Sequence, residues 1–284
     1  MHNAESVGLL AAIISLGIEV IASVWRYVVL KLPAGEASGV KTVAITGSNK
    51  LPGYVVVWMI TLSLACTTVA IILRAVETGH GPFSNMYEFS VSFAWGIMAV
   101  GLYFWWRYRL YVLITIGSLI ALGLLIFAST LPSQSLTLVP ALQQSLLLTV
   151  HVASAVIAYG AFTISFAAAI TYLLRNNPQD GENKESISLD KVSYHAVTVG
   201  FLFMTLVIIL GALWADIAWG SYWSWDPKET ASLVTWLLFA SYLHARVMRG
   251  WRGKKAAVLI VIGFLAVIFT FFGNYIFTGL HSYR

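Results

Sequence analysis

The sequence predicts an all-α, polytopic membrane helix bundle of about eight transmembrane helices with both termini extracytoplasmic, and three observations predict it. The 284-residue chain is 59% hydrophobic and only 10% charged, whereas a soluble domain carries about 25% charged residues. Its apolar residues come in runs of about 20, not in the ~10-residue alternating segments of a barrel strand, and backbone that faces lipid must be one or the other. Lys and Arg are also segregated. With eight crossings, all of the 17 except Arg74, Lys228 and Arg284 fall on one side, the bias that marks cytoplasmic connectors. The net charge of +5 therefore belongs to those connectors and signals no nucleic-acid partner. The partner implied is the lipid bilayer.

The spans are expected near 7–29, 53–75, 88–106, 110–130, 145–174, 194–214, 230–248 and 256–279. The first lacks a basic region and a small-residue cleavage site, so no removable signal peptide is expected. It carries Glu19 at membrane depth, where a carboxylate faces protein or water; pairing within the bundle is the favoured account. Span 2 holds Cys66, the only cysteine. No disulfide within the chain and no CxxC pair is then possible.

The external connector before span 3 reads GHGPFSNMYE. Asn85 and Glu88 form a helix-starting box there, and His80 is read as a solvated loop residue. His151 opens span 5 on the external side, and His281 follows span 8 on that same side. His195 starts span 6 near the cytoplasmic face and is read as interfacial. His2 is terminal. His244 lies on span 7, 15 residues after Glu229, so at 1.5 Å per residue it sits roughly 22 Å below the external surface.

The densest feature is WADIAWGSYWSWDPKETASLVTW, Trp214 to Trp236, with five of the eleven tryptophans. It reads as a connector between spans 6 and 7 at the external surface. Asp226-Pro227-Lys228-Glu229 is a helix start, with Asp as cap, Pro at the first position and Glu closing a capping box. That account leaves Trp219, Tyr222, Trp223 and Trp225 unexplained. An interfacial aromatic belt scatters its rings over many helix ends; four in seven residues, with Gly220 and Ser221 giving the backbone room, suggest a flat apolar platform.

WGSYWSWDPKE resembles the Trp-rich (WWD) signature of the haem-handling membrane proteins of cytochrome c biogenesis. Its DPKE ending and flanking sequence are most similar to the CcsA/ResC type of the two-component cytochrome c synthase. The likeness runs from about Arg74 to Arg284. It is carried also by GHGPFSNMYE, by LLTVHVASAVIAY around His151, by YLHARVMRGWRG around His244 and by GLHSY around His281.

The spans and the charge bias give an N-terminal transmembrane helix and cytoplasmic loop at 1–52, and the resemblance implies a haem-handling cytochrome c assembly domain at 53–284, with its external Trp-rich turn at 214–229. It implies haem b as bound ligand and substrate, moved to the extracytoplasmic side and presented to the CxxCH thiols of an apocytochrome c for thioether attachment. This is a haem lyase activity, exercised with a partner membrane subunit of the CcsB/ResB type. His151 and His281 would be axial ligands to an external haem iron. His244 would be the ligand of an inner haem whose second ligand comes from the partner. Trp219, Tyr222, Trp223, Trp225 and Asp226 would hold the macrocycle. No catalytic residue is implied: Lys228, Asp226 and Glu229 are at hand, but the helix start accounts for them. The location implied is the bacterial cytoplasmic membrane, or the thylakoid membrane for a plastid-encoded chain.

Two other readings share features with this one. A haem transporter or loader without ligation activity would carry the same Trp cluster and histidines. A quinone-linked electron-transfer subunit would place its histidine pair in the membrane interior, whereas the obvious pair here is external.

Overall fold

The computed structural model describes residues 2–31, 51–81, 83–133, 145–175, 184–276 and 279. Eight helices make up the fold: α1 (His2–Lys31), α2 (Leu51–Thr78), α3 (Met86–Tyr108), α4 (Tyr111–Ser129), α5 (Ser145–Arg175), α6 (Lys184–Trp219), α7 (Pro227–Arg249) and α8 (Lys254–Ile276). Every expected span is a helix, and no strand occurs among the described residues. The protein is a polytopic helical membrane bundle.

Seven of the eight helices are long and apolar enough to cross a membrane, and α7 is the exception. Lys228, Glu229, Arg246 and Arg249 load its ends, and Ser232, Thr235, Ser241 and His244 interrupt its middle. Its 23 residues still extend about 34 Å. It runs antiparallel to α6, tied by Trp236 Nε1 donating to Thr205 Oγ1 at 2.9 Å and by Arg246 pairing with Asp190. α7 thus traverses the same thickness as its neighbours, shielded by α6 and α8.

α6 is longer than its hydrophobic core. Its 36 residues span about 54 Å, against ~30 Å of hydrocarbon, so both ends overhang. This shortens the Trp-rich connector. Trp214 to Trp219 form the last turns of α6, and only Gly220 to Asp226 is non-helical. These turns are amphipathic: Trp214 and Ala215 are buried while Ile217 is exposed.

Two cores fill the bundle. One joins α3, α4, α5, α6, α7 and α8, with Phe162 stacked flat on Phe239 at a ring-centroid distance of 3.8 Å. The other joins α1, α2, α3 and α4 around Leu16, Ile60, Met98 and Leu125. α5 is central and touches α3, α4, α6 and α8. It meets α3 backbone to backbone: a Cβ on Gly160 would stand 2.9 Å from the Gly96 carbonyl oxygen. Small residues allow this approach where lipid supplies no hydrophobic drive between helices.

Buried charges clamp the two ends. At one end Arg74 Nε donates to Glu88 Oε1 at 2.9 Å and Nη1 to the Ser133 carbonyl at 2.7 Å, while Tyr87 Oη donates to Glu5 Oε1 at 2.9 Å. This joins α1, α2 and α3, and it gives a structural reason for a cation on the side that Lys and Arg otherwise avoid. At the other end Asp190 takes a bidentate pair from Arg246 at 2.7 and 2.6 Å and the Gly253 N–H at 3.1 Å. Removing one partner of such a buried pair strands a charge and costs several kcal/mol, about 3–5. Glu19 is fully buried and accepts a 2.8 Å hydrogen bond from Ser23 Oγ one turn on, so it has a partner inside the bundle.

Candidate ligand site

The end of the bundle that carries the Trp-rich turn opens into a cavity of about 1080 Å³, counting the part open to solvent. Its walls come from five helices and two connectors. The start of α3 and the loop before it supply Phe83, Met86, Phe89 and Phe93, and α5 supplies Leu148, His151, Val152 and Tyr159. The end of α6 adds Val207, Gly211 and Trp214, and the turn adds Tyr222 and Trp223. Lys228, Glu229 and Ser232 of α7 with Thr270 and Phe271 of α8 close it.

His151 sits in the second turn of α5, half-buried in this wall. Its Nδ1 lies 2.9 Å from the Val207 carbonyl oxygen of α6. A carbonyl only accepts, so Nδ1–H donates in this contact, which leaves Nε2 as the ring nitrogen that faces away from Val207. This is the arrangement by which a second partner orients an imidazole that binds metal. The space for the ring is made by Gly211, where a Cβ would come 2.8 Å from His151 Cε1. We expect Gly211→Ala to tilt or displace the imidazole without unfolding the helix, because the contact is with a side chain. Ligand affinity should fall by about tenfold, the lower bound for losing an orienting partner. A binding titration beside a thermal melt checks this, and unchanged affinity would refute the role given to Gly211.

The turn is held from below. Asp226 caps α7, accepting from Lys228 N–H at 2.9 Å, and Glu229 completes the capping box. The Glu229 carboxylate also accepts from Ser224 N–H at 2.8 Å, so it fixes the turn as well as the helix. Gly220 and Trp225 have left-handed backbones, φ 74° and 58°. Gly279 packs on the cap: a Cβ there would run into Asp226 Oδ2 and Pro227 Cδ.

The expected site residues separate in space. His151, Tyr222 and Trp223 line the cavity. Trp219 packs edge-to-face on Trp214, ring centroids 4.8 Å apart at 75°, and so backs the wall through that ring. Trp225 is 70% exposed and meets Trp223 at 88°. The Trp214–Trp219 and Trp223–Trp225 pairs therefore each meet on edge. Asp226 is 5% exposed beneath the turn. His244 is exposed on the outer surface of α7 toward its other end. His281 lies outside the described residues, two positions after Gly279 in the sequence. His195, exposed near the start of α6, contacts the Tyr108 hydroxyl through Nδ1, and His80 contacts the Gly81 carbonyl in the loop before α3.

Sequence reasoning did not find Gly211, the aromatic wall Phe83, Phe89 and Phe93, or the side-chain role of Lys228. A glycine inside the apolar run of α6 was the available signal for the first. The others emerge only when the first turns of α3 and α7 meet across the cavity, with Lys228 over the Phe89 ring.

Among the described residues no group of three His, Cys, Asp or Glu side chains is placed to hold a bare metal ion. The wall instead presents one oriented imidazole, His151, among aromatic and apolar side chains. These features define a class: a multi-pass membrane protein with an aromatic-walled cavity at one end of its bundle. Comparison with known proteins narrows it. Residues 83–281 match the family described as cytochrome C assembly protein, and every cavity-lining residue falls in that range. The cytochrome c biogenesis protein CcsA of Guillardia theta is 37% identical over 252 residues, 78% of this chain and 83% of the relative. CcsA of Chlamydomonas reinhardtii is 40% identical over 237 residues, 79% of this chain and 67% of the relative. That of Prochlorococcus marinus (strain MIT 9312) is 37% identical over 248 residues, 76% and 80%. The chain belongs to the cytochrome c assembly family, as a CcsA-type cytochrome c biogenesis protein of a bacterial or thylakoid membrane.

Proposed function

We propose that this chain is the haem-presenting subunit of a cytochrome c synthase, holding haem b at the external cavity for attachment to apocytochrome c. The observation that carries the reading is the His151 imidazole. It is fixed by the Val207 carbonyl, given room by Gly211, and set in the wall beneath the Trp-rich turn. Haem, when bound, supplies the vinyl groups to which the two cysteine thiols of CxxCH add. The protein's own residues do the positioning. His151 would furnish one axial nitrogen and His281 the other. Tyr222 and Trp223 would stack on the ring and exclude water. Trp219 and Asp226 would hold that wall in place, and Trp225 would face outward at its rim.

His244 belongs to a separate step in this reading. It would receive haem on the inner side of the membrane. Its outward exposure on α7 suits a second ligand contributed by another polypeptide, a membrane subunit of the CcsB/ResB type. Lyase activity then belongs to the complex.

The test is co-expression of this chain, its partner and an apocytochrome in cells lacking any haem chaperone. Maturation there separates attachment from mere loading. Trp223→Ala should lower haem retention and maturation by about tenfold, the scale of one lost aromatic contact, at unchanged protein level. Wild-type haem content and maturation in that variant would overturn the part given to the turn.

A further inference from the structure

Lys228 is not used up by the helix start it belongs to. Its backbone N–H bonds to the Asp226 cap, but its side chain turns into the cavity, where Nζ lies 5.0 Å above the Phe89 ring. Among the described residues it is the only Lys or Arg in the cavity wall, and no carboxylate lies within ion-pair distance of it. The acidic residues next to it in sequence are engaged elsewhere. Glu229 holds the Ser224 and Asp226 N–H groups, and Asp226 caps the helix. Lys228 also stands on the first turn of a 23-residue helix, whose N-terminal end adds positive potential. A cation in a half-closed cavity whose one lining carboxylate, Glu229, is already taken up by backbone N–H groups of the turn is under-compensated unless an anion joins it.

We propose that Lys228 recognises a carboxylate of the ligand, and so sets which edge of the macrocycle enters the cavity toward α7. The proposal rests on the haem reading above. Haem carries two propionates on one edge and its vinyls away from them, so a cation that anchors the acid edge at α7 leaves the vinyl edge on the other side of the ring. Lys228 is a positioning and specificity residue in this account. It touches the ligand but takes no part in bond making. The Phe89 ring beneath the ammonium adds a cation–π contact that holds the chain in place before the ligand arrives.

The experiment compares two probes, iron protoporphyrin IX and its dimethyl ester, which differ only in the charge of the propionate edge. Each is titrated into the purified full chain in lipid nanodiscs, followed by the Soret band, for wild type, Lys228→Met, Lys228→Arg and His151→Ala. Wild type should bind the free acid about tenfold more tightly than the ester, the scale of one charge-assisted hydrogen bond. Lys228→Met should lose that preference while keeping the ester affinity, which shows that the cavity is intact, and Lys228→Arg should retain it. Equal affinity of wild type for both probes, or an equal loss of both in Lys228→Met, would overturn the assignment to Lys228. If neither probe gives a band shift that depends on His151, the haem reading fails, and this proposal falls with it.

Discussion

Replacing His151 by alanine is expected to abolish the low-spin spectrum of the bound haem and to lower cytochrome c maturation by at least about 100-fold. Losing only the orienting partner of a metal ligand typically costs 10–100-fold, and here the ligand itself is removed. His281→Ala should give the same spectrum and the same loss, because low-spin bis-imidazole iron requires both rings. Added imidazole should enter the vacated position from the external side and restore part of both signals, since the rest of the cavity wall is untouched. Protein level and thermal melt should stay near wild type, His151 being only half-buried. Unchanged spectra and maturation in both variants would remove the external bis-histidine site, and the Trp-rich turn would then be a helix cap with an interfacial belt.

His244→Ala is expected to produce an equally deep loss of maturation, at least about 100-fold by the same ligand argument, but with a different signature. The substitution lies about 22 Å along α7 from Glu229, far from the cavity. Haem should therefore fail to accumulate at the external site in cells. The purified variant should still bind haem supplied from the external side, with a wild-type low-spin spectrum. Because His244 is exposed on the helix surface, the variant should fold normally. Haem content of the complex as isolated, set against its capacity after external reconstitution, separates the two steps. Normal haem content as isolated would place His244 outside the delivery route.

Seven of the helices were legible because an apolar run of the right length is a sufficient instruction in lipid, while the more polar α7 was announced by its Asp226–Glu229 helix start. α6 was under-read at both ends, since its overhangs, KESISLDK and WADIAW, are helical without being uniformly apolar. The cavity was half legible. Tyr222, Trp223 and His151 stood out by residue type and by the side of the membrane they share. The Val207 carbonyl that orients His151 was not visible, because a backbone acceptor has no sequence signature and the contact spans 56 positions. Nor was the turn of Lys228 away from its own cap. The capping motif explains that residue's backbone completely and says nothing about where four methylenes and a charge will go. Ring orientation was beyond reach as well: density of tryptophan predicts contact among the rings and not the angle at which they meet.

The left-handed backbone of Trp225 has a consequence of its own. An indole side chain at φ 58° holds its backbone in a region that costs a residue other than glycine roughly 1 kcal/mol or more. Glycine at 225 would sit there unstrained, and removing a ring that is 70% exposed would sacrifice little burial. The turn is thus less stable than its own geometry permits. The tryptophan at this rim is a burden on the fold, and its usefulness has to be sought in what approaches from outside.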